Sequence, residues 1–550
     1  MKIHTILLSH LLLPATEASS LPKLVRAELT RRTNHKGSST PKESTLVWSK
    51  CDLDFGNEYL NEKQKDHECA RLKVPLDYTN ESNGETIELD LIKVKATAKP
   101  FKGSVLYNPG GPGASGVETT VDVGSLLSEI LGGQFDIISF DPRGTGRTIP
   151  FICEETNVPE SGTLQQRDFN TLPQTDMWEF LQTTSWRAGS ILAEKCFQTR
   201  KDIGRFVNTP FVARDMFKIV DALDQGPLLN FWGMSYGTVL GQVAVSLFPD
   251  RVGRVFFDGN KKADDYAADI GLAGLEDAER AVAHILDECV KGGKKLCSLA
   301  DFHGENTTGK SLFDAFSQVI EKGLTGSKDP NLSALGIKGQ IIVDLKDPAN
   351  YQRIVKRIEG LLSNNAAALK ALATRGAPSG KMPCWNRGGA AIRPGISCGD
   401  SSFRVDTPED LYSMYQAHRA AASFSESTLS HRFACANWKF TAAEQIDLNK
   451  LRNVKTNFPI LLANGRYDPV TSLRSAWEIS ARFPGSRVIV HEGAGHCVLN
   501  HRSNCTESAI KGYFVDGQMP SVNTVCKPNL PLFEYIKDET EKARKAKEQN

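Results

Sequence analysis

The sequence predicts an α/β fold, a mostly parallel central sheet with helices on both faces and a large, mainly helical cap inserted after the sixth core strand. Three observations predict it. Short apolar runs ended by glycine turns alternate with stretches of helical spacing from Ser104 to Gly259, the pattern of a sheet covered on both faces. The alternation stops near Lys261 and resumes at Phe458, so the region between is an insertion. Where one strand passes into its helix stands Gly233-Met234-Ser235-Tyr236-Gly237, a G-x-S-x-G turn.

Taken in order, residues 1–20 read as a signal peptide. Lys2 is followed by an apolar stretch from Ile6 to Leu13 and then by the small residues Ala15, Ala18, Ser19 and Ser20. Residues 21–46 are basic and rich in Ser, Thr and Lys, which reads as a flexible leader. Within it, Arg31-Arg32 is a solvated charge pair or a processing site.

The first part of the core spans 47–260. Alternating Ile87, Leu89, Leu91 and Val94 mark a strand, and Ser104–Asn108 marks another that runs into Pro109-Gly110-Gly111-Pro112-Gly113. Phe135–Phe140 is a third strand, ending in the turn Asp141–Thr148. That second turn shapes the sheet edge rather than doing chemistry. Helical spacing around Trp178 to Leu192 follows, and Thr209-Pro210 opens a helix reaching Leu223. The strand Leu228–Trp232 leads into the G-x-S-x-G turn. Leu240, Val243, Ala244 and Leu247 then keep helical spacing until Pro249. Arg254–Phe257 is the sixth strand, ending at Asp258-Gly259.

Residues 261–456 form the cap, with helices such as Leu275–Val290 and Tyr351–Leu372 and loops such as Gly376–Asp400. An insertion over the carboxyl ends of the strands narrows the entrance and selects substrate. The core closes over 457–533, with a strand after Phe458, a helix from Leu473 to Phe483 and a strand from Arg487 to Val490. Residues 534–550 are a polar C-terminal tail.

Composition excludes several function classes. A net charge of +1 over 550 residues argues against nucleic acid or an anionic membrane as partner. No apolar run approaches the roughly 18 residues of a spanning helix. The 12 cysteines lack C-x-x-C spacing, which suits disulfides and not a metal. Cys51 with Cys69, Cys289 with Cys297, and Cys505 with Cys526 are the local pairs. Sequons at Asn80, Asn306, Asn331 and Asn504 and the leader point to a secreted glycoprotein. No cofactor is called for, and the oligomeric state stays open.

The G-x-S-x-G turn has the form of the nucleophile elbow of the α/β-hydrolase fold. A serine hydroxyl is weakly nucleophilic until a histidine takes its proton and a carboxylate holds that histidine. In this fold the order along the chain is Ser, acid, His. Asp468 follows one buried strand and His496 the next, so the expected catalytic residues are Ser235, Asp468 and His496. Asp258 is the reserve acid, and His491 and His501 are rival histidines. Gly493-Ala494-Gly495 suggests an exposed loop for His496. The expected oxyanion hole is built from backbone N–H groups, one of Tyr236 and one in the glycine turn after Asn108.

These motifs together resemble the secreted tripeptidyl aminopeptidases and their relatives in the prolyl-aminopeptidase group. The resemblance runs from about Trp48 to Phe533. It is carried by Val74–Tyr78, Asn108–Gly113, Asp141–Gly144, Gly233–Thr238, Ile396–Asp400, Asn464–Val470, Gly495–Cys497 and the stretch from Tyr513 to Cys526. It implies a serine exopeptidase acting at free amino termini, with an oxyanion donor near Gly111 paired with that of Tyr236. It also implies acidic cap residues that bind the substrate amine, for which Asp264, Asp265, Asp269 and Glu276 are the candidates. Asn108 stands where proline-specific cousins have His, which argues against strict proline specificity, and Ser472 stands where Pro is common. Two other readings use the same residues. One is an esterase, lactonase or amidase acting on a small metabolite; the other is a non-catalytic binding protein.

Overall fold

The computed structural model describes residues 46–153, 177–269, 271–322, 334–373 and 391–548. The signal peptide, nearly all of the leader including Arg31-Arg32, the Asn331 sequon and Cys384 lie outside the described residues.

Ten strands form one sheet in the order β1-β2-β3-β5-β4-β6-β7-β8-β9-β10. They are β1 (Ser49–Lys50), β2 (Glu68–Pro75), β3 (Thr86–Val94), β4 (Ser104–Asn108), β5 (Asp136–Phe140), β6 (Leu229–Met234), β7 (Val252–Asp258), β8 (Leu461–Tyr467), β9 (Arg487–Ala494) and β10 (Val525–Cys526). Pairing is antiparallel from β1 through β3 to β5 and parallel from β5 to β10. Leaving aside the two-residue β1, the cap follows the sixth strand, as the sequence pattern predicts.

The central strands are apolar along their length because both faces are covered. Helix α1 (Gly116–Ile130) packs on one face, where Leu127, Ile137, Trp232, Ile489 and Tyr513 share a cluster. Helices α2 (Thr209–Leu223) and α3 (Tyr236–Leu247) cover the other, with Val212, Met216, Phe231, Val239 and Phe257. Pro210 sits in the first turn of α2, where its missing N–H costs nothing, and the Asn208 side chain caps the helix. The turn Asp141–Thr148 is structural. Arg143 is fully buried and pairs with fully buried Asp215 at 2.7 Å, and its remaining donors go to the carbonyls of Pro75 and Leu76. That ion pair ties the sheet edge to α2.

The cap has its own apolar cluster, built from Ala281, Val282, Ile285, Ile341, Ile354 and Ile358 among others. Two helical spans differ from the sequence pattern. Tyr351–Leu372 is two helices, Tyr351–Leu362 and Ala366–Ala373, with Asn364 between them at φ 51°. Part of the stretch expected as loop is helix α4 (Ile392–Asp400), nearly all of it buried. The polar tail is helical from Leu532 to Glu548, and Leu532, Phe533 and Ile536 anchor it against the cap cluster.

All three expected disulfides form: Cys51–Cys69, Cys289–Cys297 and Cys505–Cys526. Cys153–Cys196 and Cys398–Cys435 add two more, and Cys497 is free and buried. Cys398 and Cys435 also lie close to His431, but their sulfurs are bonded to each other. Among the described residues no helix is long and apolar enough to cross a membrane.

Candidate active site

The parallel register brings four loops to one edge. Asn108 at the end of β4 pairs with Gly233, Met234 at the end of β6 pairs with Asp258, and Tyr467 on β8 pairs with Ala494 on β9. The residues that leave those ends, Ser235, Asp468 and His496, therefore all lie at the carboxyl edge of the sheet, where the Asp468 carboxylate and the His496 imidazole meet.

Ser235 sits at φ 54°, ψ −120°, between β6 and α3. A non-glycine residue with positive φ stores strain that its surroundings must hold. Here its amide donates to the Asp258 carbonyl at 2.9 Å. Both flanking glycines are required by space. A Cβ at Gly233 would lie 2.4 Å from the Gly237 carbonyl oxygen, and one at Gly237 would lie 2.7 Å from that of Asn108.

The glycine turn packs directly on this elbow. A Cβ on Gly110 would come within 2.4 Å of the Met234 oxygen and 3.0 Å of the Tyr236 nitrogen. The Asn108 side chain accepts the Gly110 amide at 3.0 Å and so closes the turn. The amides expected as oxyanion donors, those of Gly111 and Tyr236, thus belong to the glycine turn and to the elbow that it packs against.

Asp468 is fully buried, and all of its partners are donors. One oxygen accepts the amides of Val470 and Thr471 at 2.9 Å each. The other accepts the Thr471 hydroxyl at 2.9 Å and the Cys497 amide at 3.1 Å. The His496 Nδ1 lies 3.0 and 2.9 Å from the two oxygens. Burial pushes the Asp468 carboxyl up, but the His496 imidazole and these hydrogen bonds outweigh it and hold the group below the ordinary carboxylate value. With Nδ1 held by the carboxylate, Nε2 is the free ring nitrogen; it is buried and has no hydrogen-bond partner among the described residues. The Ser235 hydroxyl is not within hydrogen-bond geometry of Nε2. The Asp258 carbonyl joins the two loops, since it accepts both the Ser235 amide and the Cys497 thiol.

The rivals are held elsewhere. Asp258 accepts the Val498 amide at 2.9 Å and supports the His496 loop from below, without touching the imidazole. Burial, with the nearby Asp468 charge, pushes its carboxyl up to about 8 despite the Val498 hydrogen bond. His491 is buried against the Thr506 hydroxyl, and His501 bonds the Leu530 carbonyl at 2.9 Å. The glycines before His496 differ from expectation. Gly493, Ala494 and Gly495 are buried, and a Cβ at Gly493 would lie 2.0 Å from the His491 ring. They are needed for close packing and do not form an exposed loop.

Of the four acidic cap candidates, three are occupied by arginines. Asp264 makes a two-pronged pair with Arg482 at 3.1 and 2.7 Å, Asp269 pairs with Arg432, and Glu276 lies 3.6 Å from Arg474. Among the described residues Asp265 has no carboxylate–cation contact of that length, and burial raises its pKa.

Three features were not drawn from the sequence. Thr471 clamps the acid through both its amide and its hydroxyl, and its hydroxyl is 3.4 Å from the His496 Nδ1. Ser472, in the place of a proline, caps the helix Leu473–Ser480 by accepting the Ser475 amide. Asp400, at the end of α4, accepts the Thr209 amide and hydroxyl at 2.6 Å each and the Tyr266 hydroxyl at 2.8 Å. The Thr209 hydroxyl in turn meets that of Tyr236 at 2.5 Å, so the cap is stapled to the elbow residue. Burial pushes the Asp400 carboxyl up to about 6. The signal for Asp400 lay in the motif Ile396–Asp400, whose role depends on contacts more than 130 residues away in sequence.

Comparison with known proteins agrees with this architecture. Residues 103–300 match the model of the alpha/beta hydrolase fold, and residues 420–526 match that of TAP-like proteins. Tripeptidyl aminopeptidase of Streptomyces lividans is 26% identical over 504 residues, covering 88% of this chain and 87% of that one. Serine protease Hip1 of Mycobacterium tuberculosis is 26% identical over 479 residues, covering 83% and 87%. Carboxylesterase B of the same species is 27% identical over 507 residues, covering 84% and 86%. The chain has the α/β-hydrolase fold and is a serine hydrolase, similar along most of its length to the tripeptidyl aminopeptidases.

Proposed function

We propose that Ser235, His496 and Asp468 are the catalytic triad of a secreted aminopeptidase that releases short peptides or single residues from free amino termini. The observation that carries this reading is the imidazole of His496. Its Nδ1 is held by a buried carboxylate whose partners are all donors, and its Nε2 is left without a hydrogen-bond partner among the described residues. His496 takes the Ser235 proton as the hydroxyl attacks the peptide carbonyl, and Asp468 keeps the proton on Nδ1 and offsets the imidazolium charge. The amides of Gly111 and Tyr236 receive the developing oxyanion. The released amine takes the proton from His496, and water then cleaves the acyl-enzyme by the same steps. Five disulfides among the described residues support an oxidising, extracellular setting. The chemistry calls for no cofactor.

A second reading is favoured by one observation. The carboxylesterase relative is as similar as the peptidases, and the same triad cleaves esters. Mass-spectrometric analysis of products from one peptide with a free and a blocked amino terminus separates the two. Cleavage of the free peptide alone, near its amino end, is expected. Hydrolysis of short aryl esters with neither peptide cleaved would establish the esterase instead.

A further inference from the structure

Asp400, at the end of α4, is a buried carboxylate held by neutral groups. Among the described residues it makes no ion pair, and hydrogen bonds from Thr209 and Tyr266 are what stabilise its charge. One of its oxygens accepts the Thr209 amide at 2.6 Å. The other accepts the Thr209 hydroxyl at 2.6 Å and the Tyr266 hydroxyl at 2.8 Å. A buried anion without a cation costs stability that an apolar residue in its place would not.

The charge sets the direction of the hydrogen bonds around it. Burial raises the carboxyl only to about 6, so at neutral pH both oxygens accept and neither donates. The Thr209 hydroxyl has one proton, and that proton goes to Asp400. The Tyr236 phenol lies 2.5 Å from the same hydroxyl oxygen and must therefore be the donor in that contact. A chain with a single sense runs from Tyr236 through Thr209 to Asp400, and all three side chains are buried. It starts on the residue whose amide is expected to receive the oxyanion.

The same helix also touches the glycine turn. A Cβ added to Gly113 would lie 2.4 Å from the Cγ2 of Ile392, in the first turn of α4. The Cys398–Cys435 disulfide pins α4 to the helix Glu426–Ala436, and nearly all of α4 is buried. One short, fixed element of the cap thus meets the glycine turn at its start and, through Thr209, the elbow residue at its end.

We propose that Asp400 is a positioning residue, which acts through Thr209 and the Tyr236 phenol to hold the Tyr236 amide in place for the oxyanion. This rests on Ser235 being the nucleophile. Acylation and deacylation both pass through an oxyanion, so a loosened donor lowers kcat whichever step limits and leaves KM alone.

The native protein is first treated with a fluorophosphonate and mapped. Without an adduct on Ser235 the underlying reading fails, and the proposal with it. With that adduct in hand, kcat and KM are measured on a tripeptide arylamide, or on p-nitrophenyl acetate if that alone is turned over. Tyr236→Phe, Thr209→Val and Asp400→Asn should each lower kcat about ten- to a hundredfold, with KM within about threefold of native. Thr209→Ser, which restores the hydroxyl lost in Thr209→Val, should recover most of that loss. Because the links act as one chain, Tyr236→Phe combined with Thr209→Val should cost no more than the larger single loss. Urea unfolding checks each variant, and if Asp400→Asn does not fold, Tyr236→Phe and Thr209→Val still decide. Four results overturn the proposal: an unchanged Tyr236→Phe enzyme, a rise in KM at constant kcat, no recovery in Thr209→Ser, or losses that multiply in the double variant.

Discussion

Replacing Asp468 by Asn removes one charge and changes no heavy-atom shape, which makes its effect calculable. Five donor groups converge on the carboxylate. If the new amide nitrogen takes the position of the first oxygen, it meets the amides of Val470 and Thr471, two donors facing a donor. If it takes the second, it meets the Cys497 amide and the His496 ring. The second arrangement loses fewer backbone bonds, and it turns a donor towards Nδ1, which favours the tautomer in which Nδ1 accepts. The imidazole proton then moves to Nε2, where a general base must be empty. In a triad this wrong tautomer costs about 10⁴-fold in kcat, or about 5.4 kcal/mol of transition-state stabilisation. The assay is the rate of Ser235 phosphonylation by a fluorophosphonate and the kcat on a peptide arylamide, with urea unfolding as the control for folding. Asp258→Asn, measured beside it, should cost less than about tenfold, since Asp258 does not touch the ring. An Asp468→Asn enzyme within about tenfold of the native rate would refute the reasoning, and a loss confined to Asp258→Asn would transfer the role.

Three further outcomes follow from the packing. Gly259→Ala places a Cβ 2.5 Å from the Cys497 sulfur and 3.1 Å from the His496 Cε1, at φ +64°. It should lower activity about a hundredfold and stability by about 1–3 kcal/mol, read by kcat and by urea midpoint. Arg143→Met strands a buried carboxylate on Asp215 and should cost about 3–5 kcal/mol in the same unfolding experiment. The raised carboxyl of Asp258 makes stability depend on pH. Because its folded pKa lies above the unfolded one, its contribution is fully present below the ordinary carboxylate value and is lost as pH rises towards about 8. The native protein should therefore lose stability relative to Asp258→Asn between about pH 4 and about pH 8, and a constant gap would contradict the assignment.

How much of this was legible in the sequence depends on the range of the interactions. The strands β4, β6, β7 and β8 announce themselves because each is a short apolar run ending in a glycine turn. The elbow is legible for the same reason, since its glycines answer a local steric demand. The order Ser235, Asp468, His496 follows from strand-end placement alone. What was hidden depends on distant partners. Ile392–Asp400 contains Pro394, Gly395 and Gly399, poor helix formers, and it becomes a helix because Ile396 and Cys398 are buried in the core cluster. The acidic residues of the cap read as free carboxylates, and their arginine partners lie as far as 218 positions away. The buried glycines before His496 looked like a mobile loop, because composition does not distinguish flexibility from close packing. The polar C-terminal segment hid its anchor in three apolar residues at one end.

The central claim, that the strained serine at the elbow is the nucleophile, is tested most directly by peptide mapping of the native protein after reaction with a fluorophosphonate. A single adduct on Ser235, absent from a folded Ser235→Ala variant that has also lost hydrolysis, is the predicted result. An adduct on another residue, or turnover that persists in Ser235→Ala, would contradict it.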